Sequence, residues 1–539
     1  YGVEQAPLDL DAARRVLARH AETVEAVAIT SAFAVRNTDH EIRLRDMVLA
    51  ETDLPVTVST ELSDELDAPR RALTTVLNAR LLSRVTHLVD AVTESLRRHG
   101  IDAPLTIAKG DGSLAVADAV ARRPIETILS GPAASVVGAG ILAGVEDCIV
   151  SDIGGTTTDI GAVAGGRPRL VDSGALVGGW RTMVRAIDVR TTGLGGDSEV
   201  NVGTTEVTVG PRRHVPIALL AEKWPGVLGL LAADCADHPP REYAGQFVLW
   251  PEAGGQPDPR SEIERRLVDR IGSTPQRLRD VADGSVERRV LAAMAQRGEV
   301  QIGGFTPSDA AHVLGWQDNW SRSGAEHGAE LLAWYTAETA EDFSRRVWAE
   351  TVRRSGVAVL EVALADLVGE TGTDPIIDAA AGGSGRLGGV DVKLSPRHPI
   401  VAVGGPAAVY YPEVGARLDA EIVVPDDFAV ANAVGAAAGR LVARALVELS
   451  ADGPGVYRLV GGDHVEQFDH PSTGVERASE LAENNARAAL VELAAGLPAI
   501  GDVLVDLEVE RHDEPGAVDD EGLYLLRVHA EAWARPFAP

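Results

Sequence analysis

Residues Cys148–Val163 read CIVSDIGGTTTDIGAV. Two apolar runs are joined by Gly154-Gly155 and three consecutive threonines, with Asp152 closing the first run and Asp159 opening the second. Two short apolar runs around a glycine pair predict a β-hairpin. Glycine lets a backbone come close to a ligand because no Cβ intervenes. Successive amides in such a turn form a concavity suited to anions, and threonine hydroxyls add donors. A carboxylate beside bound phosphate repels it unless the carboxylate holds a hydrated Mg²⁺ or orients water, and Asp152 suits that role. The expectation is that Gly154, Gly155, Thr156 and Thr157 hold phosphate, Asp152 and Asp159 are the catalytic carboxylates, and Asp152 is the metal ligand. A plain hairpin with a polar turn would carry the same residues, so the rest of the chain has to decide.

A second glycine pair follows the apolar run PIVAVGG and precedes a helix-like segment, at Gly404-Gly405-Pro406-Ala407. Glycines at a strand end can admit a flat base against the backbone, which makes Gly404, Gly405 and Pro406 candidate nucleotide residues. A Gly/Ala-rich helical segment, Asn432–Gly439, comes shortly after. Either motif alone is common, whereas the two in this order are much more specific. No GxxxxGK[ST], HExxH or GxSxG pattern occurs, which removes the P-loop, zinc-hydrolase and serine-hydrolase signatures.

Composition bounds the alternatives. The 539 residues suggest about three or four domains, and 45% apolar content supplies substantial cores. A net charge of −30 argues against a nucleic-acid partner, which needs basic surface. No apolar run reaches the roughly 18 residues of a membrane span, and no signal peptide is visible, so a cytoplasmic protein is expected. The two cysteines, Cys148 and Cys235, sit in no metal-binding or disulfide pattern. Lysine occurs only at Lys109, Lys223 and Lys393.

Along the chain, helix-like and strand-like runs alternate up to about residue 107, with helices near Asp11–Glu22, His40–Glu51 and Ala68–His99, and this predicts a mainly parallel α/β sheet. From Asp147 short β-type runs predict an antiparallel meander. About 260–370 reads as mainly helical, with STPQRLRDV, RRVLAAMAQRGEV and FTPSDAAHVLG resembling a small winged-helix unit. DDFAVANAVGAAAGRLVARALV reads as one helix, and AAAGGSGRLGG (Ala379–Gly389) as a mobile loop with a chance GxGxxG. The expected organisation is a partial first lobe over 1–146, a second ATPase lobe over 147–445 that includes the helical insertion, and a small α+β domain over 446–539.

SDIGGTTTDIGAV and AVGGPA together resemble the second phosphate motif and the adenosine motif of the acetate kinase/sugar kinase/Hsp70/actin ATPase superfamily. The nearer resemblance is to hydantoinase/oxoprolinase A-type subunits, through SAFAVRNTDHE, TTVLNARLL, KGDGSLAVADAVARRPIETILSGPAASVVGAG, IDVRTTGLGGDS, FTPSDAAHVLG and ANAVGAAAG. The resemblance implies an actin/Hsp70-like (ribonuclease H-like) two-lobed α/β fold. It also implies ATP- and Mg²⁺-dependent opening of a cyclic amide or imide such as a hydantoin, 5-oxoproline or a lactam, in an oligomer with a B-type subunit. Asp188, Gly195, Gly196, Asp197 and Ser198 would then lie near substrate, or form a purely structural turn. Other users of the fold are an ATP-driven carboxylase subunit, an enzyme-reactivating ATPase and a nucleotide-binding scaffold without turnover. Members of the family open with a further hairpin of the type GIDVGGTFTD, and nothing like it precedes Asp152. That leaves three readings: an N-terminal portion removed, one supplied by another polypeptide, or loss of ATP turnover.

Overall fold

The computed structural model describes residues 4–536 apart from 5, 64, 172, 204–205, 253–256, 366–373, 384, 454, 463, 496, 498–499 and 514–522. The chain forms two units, each assembled from separated segments. The first comprises 1–138, 168–188 and 432–539, and the second comprises 139–167 and 189–431. Both mix helices with sheets, as expected of an α/β protein. Among the described residues no helix is long and apolar enough to cross a membrane.

In the second unit the predicted hairpin forms, with strands Cys148–Ile153 and Thr158–Ala164 in antiparallel register. Val189–Thr192 extends it antiparallel on one side, while Ile400–Val403 and then Ile422–Val423 add in parallel on the other. The central strands are buried on both faces, which matches their near-continuous Val/Ile content. Helix Ala340–Ala363 supplies Val352 and Val359 to the core beneath Ile153, Ile160 and Ile400. The region read as mainly helical, about 260–370, also contributes Gln276–Arg277 and Gln301–Gly304 to a four-stranded sheet ordered Val215–Pro216, Gln301–Gly304, Phe247–Leu249, Gln276–Arg277. Helices Glu262–Arg270 and Ser285–Gln296 pack there through Leu267, Leu291 and Met294 around Val248. The last residues of the expected insertion, 366–370, lie outside the described residues.

Among the described residues up to about 107, the expected parallel sheet is confined to one pair, Val27–Ile29 with Val56–Val58. Thr106–Ala108 instead pairs antiparallel with Ser113–Val116 and joins a seven-stranded, mostly antiparallel sheet built from the C-terminal part of the chain. The local alternation of helix and strand could not reveal this, because the partner strand Arg440–Gly453 lies more than three hundred residues away in sequence. That strand also corrects the helix expected over DDFAVANAVGAAAGRLVARALV, which ends at Ala438. Leu441, Ala443, Val447 and Leu449 are buried with a period of two, and the apolar Val442 and Leu446 at the alternate positions masked that period. Helix Pro471–Leu493 fills the sheet's concavity through Ala478, Ala482, Ala486 and Leu490 at helical spacing. AAAGGSGRLGG closes helix Pro375–Ala381 and continues as a short hairpin of Arg386–Leu387 with Val390–Asp391. Its Ser384 lies outside the described residues.

Long helix Ala68–Arg98 carries a buried polar seam. Arg71 donates to the carbonyls of Glu65, Ser31 and Ala32, and Asn78 donates to Thr57 Oγ1 and the Arg122 carbonyl. Glu41, fully buried, accepts from the Ser31 and Thr60 amides and the Ser59 and Thr60 hydroxyls. Leaving such groups unpaired would cost about 1–3 kcal/mol each, so these residues specify how the long helix packs on the segments around Ser31, Thr57 and Arg122. The Gly/Ala segment packs tightly as well. A Cβ on Gly435 would lie 1.9 Å from the Ala134 carbonyl oxygen. Gly435→Ala is therefore expected to lower unfolding free energy by roughly 1–3 kcal/mol despite alanine's better helix propensity, measured by urea denaturation.

Candidate functional site

The site is built around the hairpin turn Gly154–Thr157. Gly154 N–H donates to the Thr157 carbonyl at 2.9 Å and closes the turn. The turn's outward carbonyls are then taken up by the GLGGDS loop. Gly196 N–H donates to the Gly154 carbonyl at 3.0 Å, and Asp197 N–H donates to the Gly155 carbonyl at 2.7 Å. Thr158 Oγ1 donates to the Leu194 carbonyl at 2.7 Å. Gly195 has to be glycine, since a Cβ there would lie 2.4 Å from the Gly155 oxygen and 2.5 Å from that of Gly154. Ser198 is fully buried and accepts from Gly195 N–H at 2.9 Å, so its role is to shape the loop. Among the described residues the amides of Gly155, Thr156 and Thr157 make no hydrogen bond. A turn with its carbonyls satisfied and its amides free has the polarity of an anion cradle.

The second glycine pair meets this turn. Gly404 ends the Ile400–Val403 strand with φ +91°, and its N–H donates to the Phe428 carbonyl at 2.9 Å. A Cβ there would lie 2.2 Å from the Ile153 carbonyl and 2.6 Å from Asp152 Oδ1. Pro406 opens helix Ala407–Leu418 and sits against Gly196, where a Cβ would be 3.0 Å from the Pro406 ring. Gly405 faces open space, with nothing within 4 Å of an added Cβ. Sequence-distant residues 152–158, 194–198 and 404–406 thus come together in one unit. Asp188 falls in the first unit, where it pairs with Arg169 at 2.7 Å. A surface depression of about 560 Å³ is lined by Pro412, Ala416 and Ile422, toward the other end of the helix that Pro406 opens.

Sheet register sets Asp152 and Asp159 directly opposite each other, with Thr191 opposite Asp159 on the next strand. Two like charges so placed, about 5 Å apart at Cβ, are unfavourable on stability grounds alone. Burial pushes the Asp159 carboxyl up and Asp152 adds to the effect, while Thr191 Oγ1, donating at 2.5 Å, opposes it. The pair suits a cation or a proton held between strands. Among the described residues no three His, Cys, Asp or Glu side chains are grouped to hold a metal unaided. Mg²⁺ on a nucleotide needs only one or two carboxylates beside the phosphates, so Asp152 fits that requirement.

FTPSD, unassigned by residue in the sequence reading, is the support beneath the loop. Thr306 and Asp309 form a capping box, Asp309 also accepts from the Ile217 and Ala218 amides, and Ser308 N–H donates to the Gly196 carbonyl at 2.8 Å. The Thr-Pro-x-Asp spacing is a legible cap signal. His214 donates its backbone N–H to the Asp197 carbonyl at 2.8 Å, and its ring packs on Gly304. Burial, aided by the neighbouring Arg212, pushes the His214 imidazole down to about 4, although Glu199 opposes this. The unfolded chain therefore takes up a proton near its ordinary value while the folded chain does not. Stability present above pH about 6.5 is lost as pH falls toward 4, by roughly 3 kcal/mol for this group. His214→Gln should flatten that acid limb by a similar amount, read from urea midpoints between pH 7 and 4.

Residues 71–220 match the hydantoinase/oxoprolinase family profile. Caprolactamase subunit alpha of Pseudomonas jessenii is 34% identical over 221 residues, 39% of this chain and 31% of the relative. Acetophenone carboxylase gamma subunit of Aromatoleum aromaticum is 27% identical over 199 residues, 35% of this chain and 27% of the relative. The matches thus span under a third of these curated relatives. The crystal structure of ATP-dependent caprolactamase from Pseudomonas jessenii superposes with a TM-score of 0.58 at 17% identity, over 100% of this chain and 68% of that one. The profile match contains both SGPAA and DIGGTTTD, and over residues 71–220 the chain is similar to the hydantoinase/oxoprolinase family.

Proposed function

We propose that this chain is an ATP-dependent A-type subunit that opens a cyclic amide or imide after phosphorylating an amide or carboxyl oxygen, working in an oligomer with a B-type subunit. The observation that carries this reading is the meeting of the free-amide turn Gly154–Thr157 with the Gly195–Ser198 loop and the Gly404–Pro406 turn. The ATP-dependent caprolactamase relative supports it, as does the naming of both curated relatives as subunits. The proposed fold is the two-lobed actin/Hsp70-like one.

A lactam carbonyl is a poor electrophile and its nitrogen a poor leaving group. Transfer of the γ-phosphoryl group to the amide oxygen would give an imidate phosphate and ADP. Water adds to its carbon, the C–N bond breaks as the nitrogen takes a proton and leaves as the amine, and the acyl phosphate so formed is hydrolysed to carboxylate and inorganic phosphate. In this reading the amides of Gly155, Thr156 and Thr157 bind phosphate oxygens, and Gly404, Gly405 and Pro406 flank the adenosine. Asp152 would hold Mg²⁺, which would supply neutralisation of phosphate charge. Asp159 is positioned by Thr191 to hold a proton or order water beside it. Gly195, Gly196 and Asp197 line the substrate side of the turn, and Ser198 shapes the loop behind them.

A second reading, an ATP-driven carboxylase subunit, is favoured by the acetophenone carboxylase relative. It predicts ATP consumption that depends on bicarbonate, whereas lactam opening does not. For either reading Asp152→Asn in the full-length gene product should reduce ATP turnover by at least about 100-fold, followed by phosphate release. Unchanged turnover in the variant would remove Asp152 from the site.

A further inference from the structure

The proposed phosphate site has a charge imbalance that this chain's own residues address. The turn offers only neutral donors, while Asp152, Asp159 and Asp197 all lie around it. Of the lysines in the second unit, Lys223 pairs with Glu252 and Lys393 with Asp419. A guanidinium does reach the turn. Arg213 ends the strand Val207–Arg213 and is in register with Ser198, so the sheet delivers it to the GLGGDS loop. Its Nη2 donates to Asp197 Oδ2 at 3.0 Å, and that same oxygen lies 2.6 Å from where a Cβ on Gly155 would stand. Asp197 therefore does two things at once: its amide latches the turn, and its carboxylate parks a guanidinium beside it.

The neighbouring arginine behaves differently. Arg212, on the opposite face of the strand, grips buried Glu199 with two hydrogen bonds at 2.7 and 3.2 Å. Arg213 is 55% exposed, and its single-bonded ion pair contributes little to stability. Burial pushes the Asp197 carboxyl up, with Arg213 opposing. The guanidinium is thus held near the turn by one contact and is free to engage a stronger anion.

Resting on the phosphate-binding reading of the hairpin, we propose that Arg213 is a catalytic residue whose guanidinium contacts the γ-phosphoryl oxygens of ATP bound at the turn. Its planar donors match phosphate oxygens two at a time. During transfer the bond from the amide oxygen to Pγ forms and the bond from Pγ to the β,γ-bridging oxygen breaks. The electron pair leaves with ADP, and Arg213 stays protonated while it stabilises charge on the transferring group.

The test uses the full-length gene product with Arg213→Gln and Arg213→Lys, checked for folding by thermal melts. Calorimetric titration gives Mg²⁺-dependent affinity for ATP and for ADP, and phosphate release gives turnover. Arg213→Gln is expected to lose about 10–100-fold in ATP affinity with ADP affinity within about twofold, and about 10³-fold in turnover. Arg213→Lys should keep most ATP affinity yet remain at least about tenfold slow, because an ammonium cannot span two oxygens. Should Arg213→Gln fail to fold, wild-type turnover in Arg213→Lys overturns the assignment. Wild-type ATP preference and turnover in a folded Arg213→Gln overturn it equally, and leave the hairpin reading standing. A wild-type protein that binds neither nucleotide overturns the hairpin reading and Arg213's role with it.

Discussion

Two backbone hydrogen bonds organise the candidate site: Gly196 and Asp197 donate to the carbonyls of Gly154 and Gly155. They occupy the acceptor side of a tight turn, while among the described residues the amides of Gly155, Thr156 and Thr157 have no partner. Everything nearby adjusts to that contact. Gly195 must lack a Cβ for the loop to come so close, Ser198 and Ser308 pin the loop from either side, and the capping box of Thr306 with Asp309 fixes Ser308. The same approach sets Asp197 beside Gly155 and so brings Arg213 to the turn.

The second constraint is the mixed sheet. Because Ile400–Val403 pairs in parallel with Cys148–Ile153, its C-terminal end and that of the hairpin's first strand emerge on the same edge. Parallel strands place their following loops together, which is why Gly404–Pro406 meets Gly154–Thr157 although some 250 residues separate them. A wholly antiparallel meander would send the second glycine pair to the opposite edge. The choice of a parallel partner for one strand is thus what turns two common motifs into one site.

Much of this was legible in the residues. Glycine pairs at strand ends, a threonine run and flanking carboxylates have few purely structural uses in combination, and the structure brings those segments together. The long helix Ala68–Arg98 was legible from its amphipathic pattern. What escaped was non-local. Thr106–Ala108 finds its place through Ser113–Val116 and a strand that begins at Arg440, and no local pattern encodes such a pairing. Arg440–Gly453 looked helical because alanines populate it. Asp188 and Asp197 are close in sequence, but the chain passes from one unit to the other between them, and Asp188 ion-pairs with Arg169. Arg213 carried no signal, since only the register with Ser198 reveals where its strand ends.

The proposed chemistry is ATP-driven activation of an unreactive carbonyl, and the hairpin turn is the proposed place for its phosphate. The central claim is that three segments bind one nucleotide together. Hydrogen exchange read by mass spectrometry on the full-length protein, with and without Mg·ADP, tests it most directly. Peptides covering 152–158, 193–198 and 402–407 should slow together on nucleotide addition. Protection confined to other peptides, or to one of these three without the others, would contradict the account.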